Sequence, residues 1–247
     1  MFPTLDYLSF TMSLKDQNVL ITGASIGIGA AIAHRLAQEQ ANLILLARTS
    51  GKLESLAKDI RQKVGKSVKI SIAAADVSSH TSVTEAIKKV AKESGHIDVL
   101  INNAGLALGA PAAFPDLKME DIVTMTGTNV NGYLFVTYAV LNEGKMRERG
   151  VGTILNVTST TALEAPPFSG ESIYHASKMF QEGFTNSLRN ELVGTNIKVV
   201  ALRPGVVATH FHKQRVGFDE GAYAGFIEGA CRKVYADFGV LLTSSVT

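Results

Sequence analysis

Six apolar runs punctuate the chain at 18–22, 42–47, 68–74, 97–101, 152–157 and 197–202. Most are continuous rather than alternating, the pattern of strands covered on both faces. Between them, apolar residues recur at helical spacing over 28–38, 52–64, 82–93, 122–146 and 174–193. Strand and helix in alternation predict an α/β fold with a doubly wound parallel sheet. No internal repeat, low-complexity tract or Pro/Gly linker marks a second domain, so residues 14–218 are expected to form one unit. Residues 1–13 read as a loose extension, with Met12 as an alternative start, and 219–247 as an atypical C-terminal segment.

Composition narrows the class. The chain has 247 residues, 46% of them hydrophobic, enough for a full single-domain core. A net charge of +2 without a long basic run argues against nucleic acid as a partner. The single cysteine, Cys231, excludes an internal disulfide framework and a multi-cysteine zinc site, and suits a reducing, cytoplasmic setting. No apolar run is long enough to span a bilayer, so no membrane association is expected. His210 and His212 flank Phe211 without a third ligand in view, and no metal is expected.

The first strand runs into Thr22-Gly23-Ala24-Ser25-Ile26-Gly27-Ile28-Gly29, followed by small residues. Glycines there let the backbone turn and approach a pyrophosphate, while the helix that follows offers free N–H groups to the phosphate charge. A purely structural turn is the alternative. No Lys-Ser/Thr follows the last glycine, so this is not the phosphate loop of an NTPase. After the second strand, where an NAD-binding chain places an acid, the sequence reads Ala47-Arg48-Thr49. Arg48 can fork onto a 2′-phosphate with Ser25 and Thr49 as hydroxyl donors, which favours NADP; otherwise it is an exposed residue capping the next helix.

Tyr174 and Lys178 are four apart at the start of the last long helix, one turn from each other on one face. An ammonium one turn from a phenol favours the phenolate and brings its pKa toward the working range. The same spacing also occurs on ordinary solvated helices.

In order along the chain, Thr22-Gly23 with Gly27-Ile28-Gly29, Asp76-Val77, Asn102-Asn103-Ala104-Gly105, Asn129, Ser159, Tyr174 with Lys178, and Pro204-Gly205 resemble the short-chain dehydrogenase/reductase family. The likeness covers about 14–218 and is greatest to its NADP-dependent 3-hydroxy acid and serine dehydrogenases. It implies a Rossmann fold and a set of roles. Gly23, Ser25, Ile28, Gly29 and Arg48 would hold the nucleotide, Asp76 the adenine amino group, and Asn103 the adenosine ribose. Tyr174 would be the acid/base and Ser159 would hold the substrate oxygen. Lys178 would bind the nicotinamide ribose, Asn129 a water linking Lys178 to solvent, and Val207 and Thr209 the carboxamide and diphosphate side.

Two departures stand out. The interval from Ser159 to Tyr174 is longer than usual, so Glu164, Phe168 and His175 are expected to shape the pocket, and Thr160 or Thr161 competes with Ser159 for the carbonyl. The segment past Phe218 lacks the family's closing helix and last strand, which would leave an exposed sheet edge. The expected activity is interconversion of a secondary alcohol and a ketone, on a small ketone or alcohol substrate such as a 3-hydroxy acid, by a homodimer or homotetramer. The alternatives are a ketoreductase of a larger biosynthetic ketone and a catalytically silent NADP-binding module.

Overall fold

A computed structural model describes residues 13–65, 67–165, 169–207 and 209–228. The extension before residue 13, Phe168, Cys231 and the segment 229–247 lie outside the described residues. In chain order the elements are β1 (Asn18–Thr22), α1 (Gly27–Gln38), β2 (Asn42–Ala47), α2 (Ser50–Val64), β3 (Ile70–Ala74), α3 (His80–Ser94) and β4 (Val99–Asn102). Then follow α4 (Met119–Thr126), α5 (Tyr133–Asn142), α6 (Met146–Arg149), β5 (Val151–Val157), α7 (Ser172–Glu191), β6 (Asn196–Leu202) and α8 (His210–Arg215).

The six strands pair in parallel in the order β3-β2-β1-β4-β5-β6. Because successive side chains leave a strand on opposite faces, each apolar run feeds two cores. Val19, Ile21, Leu43, Leu45, Val99 and Ile101 face α1 and α2, meeting Ala33, Ala37, Leu53, Ala57 and Ile60. Leu20, Ile44, Leu46, Leu100 and Ile154 face the other way, onto Val83, Ile87, Val90, Val136, Val140 and Leu188. This two-sided burial is why the strands read as unbroken hydrophobic runs.

The strand order reverses between β1 and β4, so the crevice at the carboxyl ends of these two strands is the place where a doubly wound sheet accepts a ligand. On the far side, β6 is an edge among the described residues, with Val200 and Leu202 exposed. Residues 220–228 are helical and return Phe226 over the crevice.

One expectation needs correction. Residues 122–146 do not form a single α-helix. A π turn at Gly127–Gly132 separates α4 from α5, and Gly144 ends the run before α6. The apolar periodicity carries through a single π turn and hides it, because only one residue is inserted and the backbone stays in the helical region. Asn129 sits in that turn, wholly buried.

Candidate active site

The turn between β1 and α1 is built for close approach. Gly23 adopts φ +63°, and a Cβ on Gly29 would lie 2.4 Å from the Gly23 carbonyl oxygen and 2.6 Å from Asn103 Nδ2. Asn103 donates from Nδ2 to the carbonyls of Thr22 (3.0 Å) and Gly23 (3.3 Å). In return the Thr22 hydroxyl accepts from the backbone N–H of Asn103 and of Ala104. Asn103 therefore ties the end of β4 to the glycine turn, a structural function beside any contact with a nucleotide. We expect Gly29→Ala to cost about 1–3 kcal/mol of stability, since the methyl meets backbone rather than a movable side chain. Thermal melting checks this, and an unchanged Tm would mean that the turn relaxes freely.

A cavity of about 410 Å³ opens over this turn and runs from Arg48 to Phe226. Gly23, Ser25, Ile28, Arg48, Thr49, Asp76, Asn103, Val207 and Thr209 line one part of it, and Ser159, Tyr174 and Lys178 line another. Gly29 sits behind the turn and Asn129 behind Lys178, and neither faces the cavity. Arg48 is exposed at the rim, with Lys52 one helical turn further on. Asp76 is partly occupied, because Oδ1 accepts from the N–H and hydroxyl of Ser78.

Beneath the cavity, Lys178 is almost fully buried. Its Nζ donates to the carbonyl oxygen of Val157 (3.1 Å) and to Gln181 Oε1 (3.0 Å). Burial pulls the Lys178 pKa down to about 8. Gln181 in turn donates from Nε2 to the Asn129 carbonyl oxygen at 2.8 Å. The Asn129 side chain is committed elsewhere, accepting from Leu106 N–H and donating to the Leu106 carbonyl and the Ser177 hydroxyl. Thus the side-chain amide of Gln181 spans the gap between Lys178 and Asn129 in which the resemblance places a water.

Ser159 lies two residues past β5 and caps a short 3-10 turn, Thr160–Ala162. Its hydroxyl accepts from the N–H (3.2 Å) and hydroxyl (2.9 Å) of Thr161. Among the three hydroxyls that competed on sequence, Ser159 is the one that acts on the Tyr174 phenol, pulling its pKa down; Thr161 supports it and Thr160 is exposed. Behind them Thr158 donates to Glu182 at 2.6 Å, and Arg203 forks onto both Glu182 oxygens at 2.8 and 2.7 Å. That clamp fixes the ends of β5 and β6 against α7, and so fixes where Ser159 stands relative to Tyr174.

Burial raises the Tyr174 pKa above the usual phenol value, while the Arg215 charge and the Ser159 hydroxyl pull it down and Glu171 pushes it up. The charge that counters burial at the phenol comes from Arg215, where the spacing alone pointed to Lys178. Lys178 Nζ stands 5.7 Å from the Tyr174 ring centroid, turned to its own two acceptors. Arg215, from α8, lies 4.9 Å over the same ring.

Of the residues expected to shape the pocket, Glu164 and His175 do not line this cavity; His175 Nδ1 is bonded to the Thr161 carbonyl oxygen. His212, from the pair flanking Phe211, is buried against Phe211 and Phe226, and burial followed by the Arg215 charge lowers its pKa to about 4. The sequence reading missed Lys52, Gln181, Glu171 and Arg215. Only Lys52 carried a signal, its spacing of four from Arg48.

A glycine turn at the crevice of a doubly wound sheet, joined by one cavity to a serine and a tyrosine above a buried lysine, defines a dinucleotide-binding oxidoreductase site. The chain belongs to the short-chain dehydrogenase family, whose family model, described as short chain dehydrogenase, matches residues 17–218. It is 39% identical over 208 residues to an NADP-dependent 3-hydroxy acid dehydrogenase of Schizosaccharomyces pombe, covering 84% of this chain and 78% of that one. It is 38% identical over 205 residues to sulfoacetaldehyde reductase 2 of Chromohalobacter salexigens, covering 83% and 78%. Among solved structures it resembles a closed form of serine dehydrogenase complexed with NADP+, with a TM-score of 0.73, 32% identity, and coverage of 90% and 82%.

Proposed function

We propose that this chain is an NADP-dependent oxidoreductase that interconverts a secondary alcohol and a ketone on a small 3-hydroxy acid or related hydroxy compound, with residues 14–218 as the working domain. The observation that carries the reading is the single cavity that brings Ser159, Tyr174 and Lys178 together with the Gly23–Gly29 turn. The residues fit the nucleotide. The turn has no room for a side chain at Gly23 or Gly29, its helix begins with free N–H groups, and the far rim carries Arg48 and Lys52 with no acid on the strand end.

In this assignment Gly23, Ser25 and Ile28 cradle the pyrophosphate, with Gly29 giving the turn its shape. Arg48, helped by Thr49 and Lys52, pairs with a 2′-phosphate. Asp76 and Asn103 hold the adenosine half, Val207 and Thr209 the nicotinamide half, and Lys178 the second ribose. The chemistry that NADPH supplies when bound is a hydride for the carbonyl carbon. Ser159 holds the carbonyl oxygen, and the Tyr174 phenol gives that oxygen its proton, or takes it back in the reverse direction. Asn129, through Gln181, steadies the ammonium of Lys178. The comparison proteins named for a 3-hydroxy acid and for sulfoacetaldehyde support a small substrate bearing an acid group. Among the described residues no helix is long and apolar enough to cross a membrane, and a cytoplasmic setting is proposed with it. Exposed Val123, Tyr138 and Met179 on α4, α5 and α7 support pairing with a second copy.

NADPH oxidation followed with a panel of 3-oxo acids and neutral ketones tests the reading. Turnover is expected, with NADPH preferred to NADH, and tight NADPH binding with no turnover in either direction would reject it. Arg48→Asp should move the preference toward NADH, since it removes the phosphate partner and restores an acid for a free ribose hydroxyl. An unchanged NADPH/NADH ratio of kcat/KM would remove Arg48 from the site.

A further inference from the structure

The charges around Tyr174 do not all come from its own helix. Before the first turn of α7 stands Glu171, and one turn past Tyr174 stands Lys178; the turn after β5 contributes the neutral Ser159; α8 contributes Arg215 and His212. Further along α7, His175 lies close enough to act on the Glu171 charge. Arg215 Nη1 meets Glu171 Oε1 at 3.1 Å, and both side chains are almost wholly buried, at 5% and 3% exposure. The guanidinium stacks between the rings of Tyr174 and Phe226, 4.9 Å from each centroid, with Phe211 at 5.5 Å.

Such a pair is a poor device for stability. Burying two charges costs several kcal/mol per ion, which their attraction returns only when the remaining polar atoms are satisfied. Among the described residues, Glu171 Oε2 and Arg215 Nε have no hydrogen-bond partner. A buried, half-satisfied ion pair calls for a functional account.

We propose that Arg215, held by Glu171, is a positioning residue for the reaction, a second cation that acts through Tyr174 by favouring the phenolate. The consequence for catalysis rests on the reading of Tyr174 as the acid/base. A cation within about 4–6 Å of a titrating group favours its anionic form by a factor of ten or more. Both cations lie within that range of the Tyr174 ring centroid, Arg215 at 4.9 Å and Lys178 at 5.7 Å, but Lys178 spends its N–H groups on Val157 and Gln181, and it is the Arg215 charge that acts on the phenol. Glu171, on the other side of the guanidinium, works against Arg215 and limits its effect. The two members of one ion pair therefore act on the phenol with opposite signs.

That opposition separates an electrostatic role from a structural one. Ultraviolet difference titration of tyrosinate in the full chain, with the Tyr174→Phe signal subtracted, reads the phenol directly and needs neither substrate nor cofactor. Arg215→Met should move the Tyr174 titration to higher pH by roughly tenfold in proton concentration or more. Glu171→Gln, which leaves the guanidinium uncompensated, should move it to lower pH. Arg215→Lys should stay near wild type, and the double variant should fall between the single ones. Two single variants that move the same way, or do not move, would overturn the proposal. If Arg215→Met fails to fold, Glu171→Gln with Arg215→Lys decides alone, and a Glu171→Gln titration that stays put or rises overturns it. The pH profile of kcat should follow the same order. If the titrations diverge and the rate profiles do not, the acid/base assignment of Tyr174 fails while the action of Arg215 stands.

Discussion

Tyr174→Phe is expected to lower kcat by ~10²–10⁴, the usual contribution of one positioned acid/base, while NADPH affinity stays close to that of the wild type. The phenol lines the same cavity as the hydroxyl assigned to the substrate oxygen, and that hydroxyl acts on it. The ring itself packs with Leu106, Ala107, Met125 and Phe211, and phenylalanine keeps that packing. The loss should therefore appear in turnover rather than in stability, a separation that melting curves run beside the kinetics will show. A variant that keeps wild-type kcat would mean that the proton comes from elsewhere.

Lys178→Met is the second large effect, and its signature lies in pH. Burial holds the folded pKa of Lys178 at about 8, against 10.5 for an unperturbed lysine. The unfolded chain then binds more protons than the folded one between these values, so this group makes stability climb as pH rises from about 8 toward 10.5. Below pH 8 the burial penalty is present in full, on the order of a few kcal/mol. Methionine removes the ammonium and with it the climb. The stability difference between variant and wild type, measured by denaturant melts at several pH values, should change across that window. A difference independent of pH would show that the ammonium is not in a dry site. Turnover should fall as well, because the ribose contact assigned to Lys178 is lost and the phenol loses a neighbouring positive charge.

How far the sequence led depended on the range of the interaction. β1 and β2 match their apolar runs residue for residue, and the remaining strands agree within two residues, because burial on both faces writes itself as a continuous hydrophobic stretch. The π turn around Asn129 was hidden, since one inserted residue leaves the apolar pattern of 122–146 unbroken. Tyr174 and Lys178 were legible from a four-residue spacing and Ser159 from the ordered motifs of the family resemblance, and all three line one cavity. Gln181 was not, because a polar residue within a helix reads the same whether it faces solvent or, as here, a buried ammonium and a π-turn carbonyl. Glu171 and Arg215 are 44 positions apart and meet only because α8 folds back over the start of α7. No spacing rule reaches across that distance.

The most direct test of the central claim is a crystal structure of the chain with NADP bound. The account predicts the pyrophosphate on the Gly23–Gly29 turn, the 2′-phosphate at Arg48, and the nicotinamide in the space lined by Ser159, Tyr174 and Lys178, with the phenol facing Ser159. A nicotinamide placed outside that space, or a Tyr174 hydroxyl turned away from both Ser159 and the ring, would contradict it.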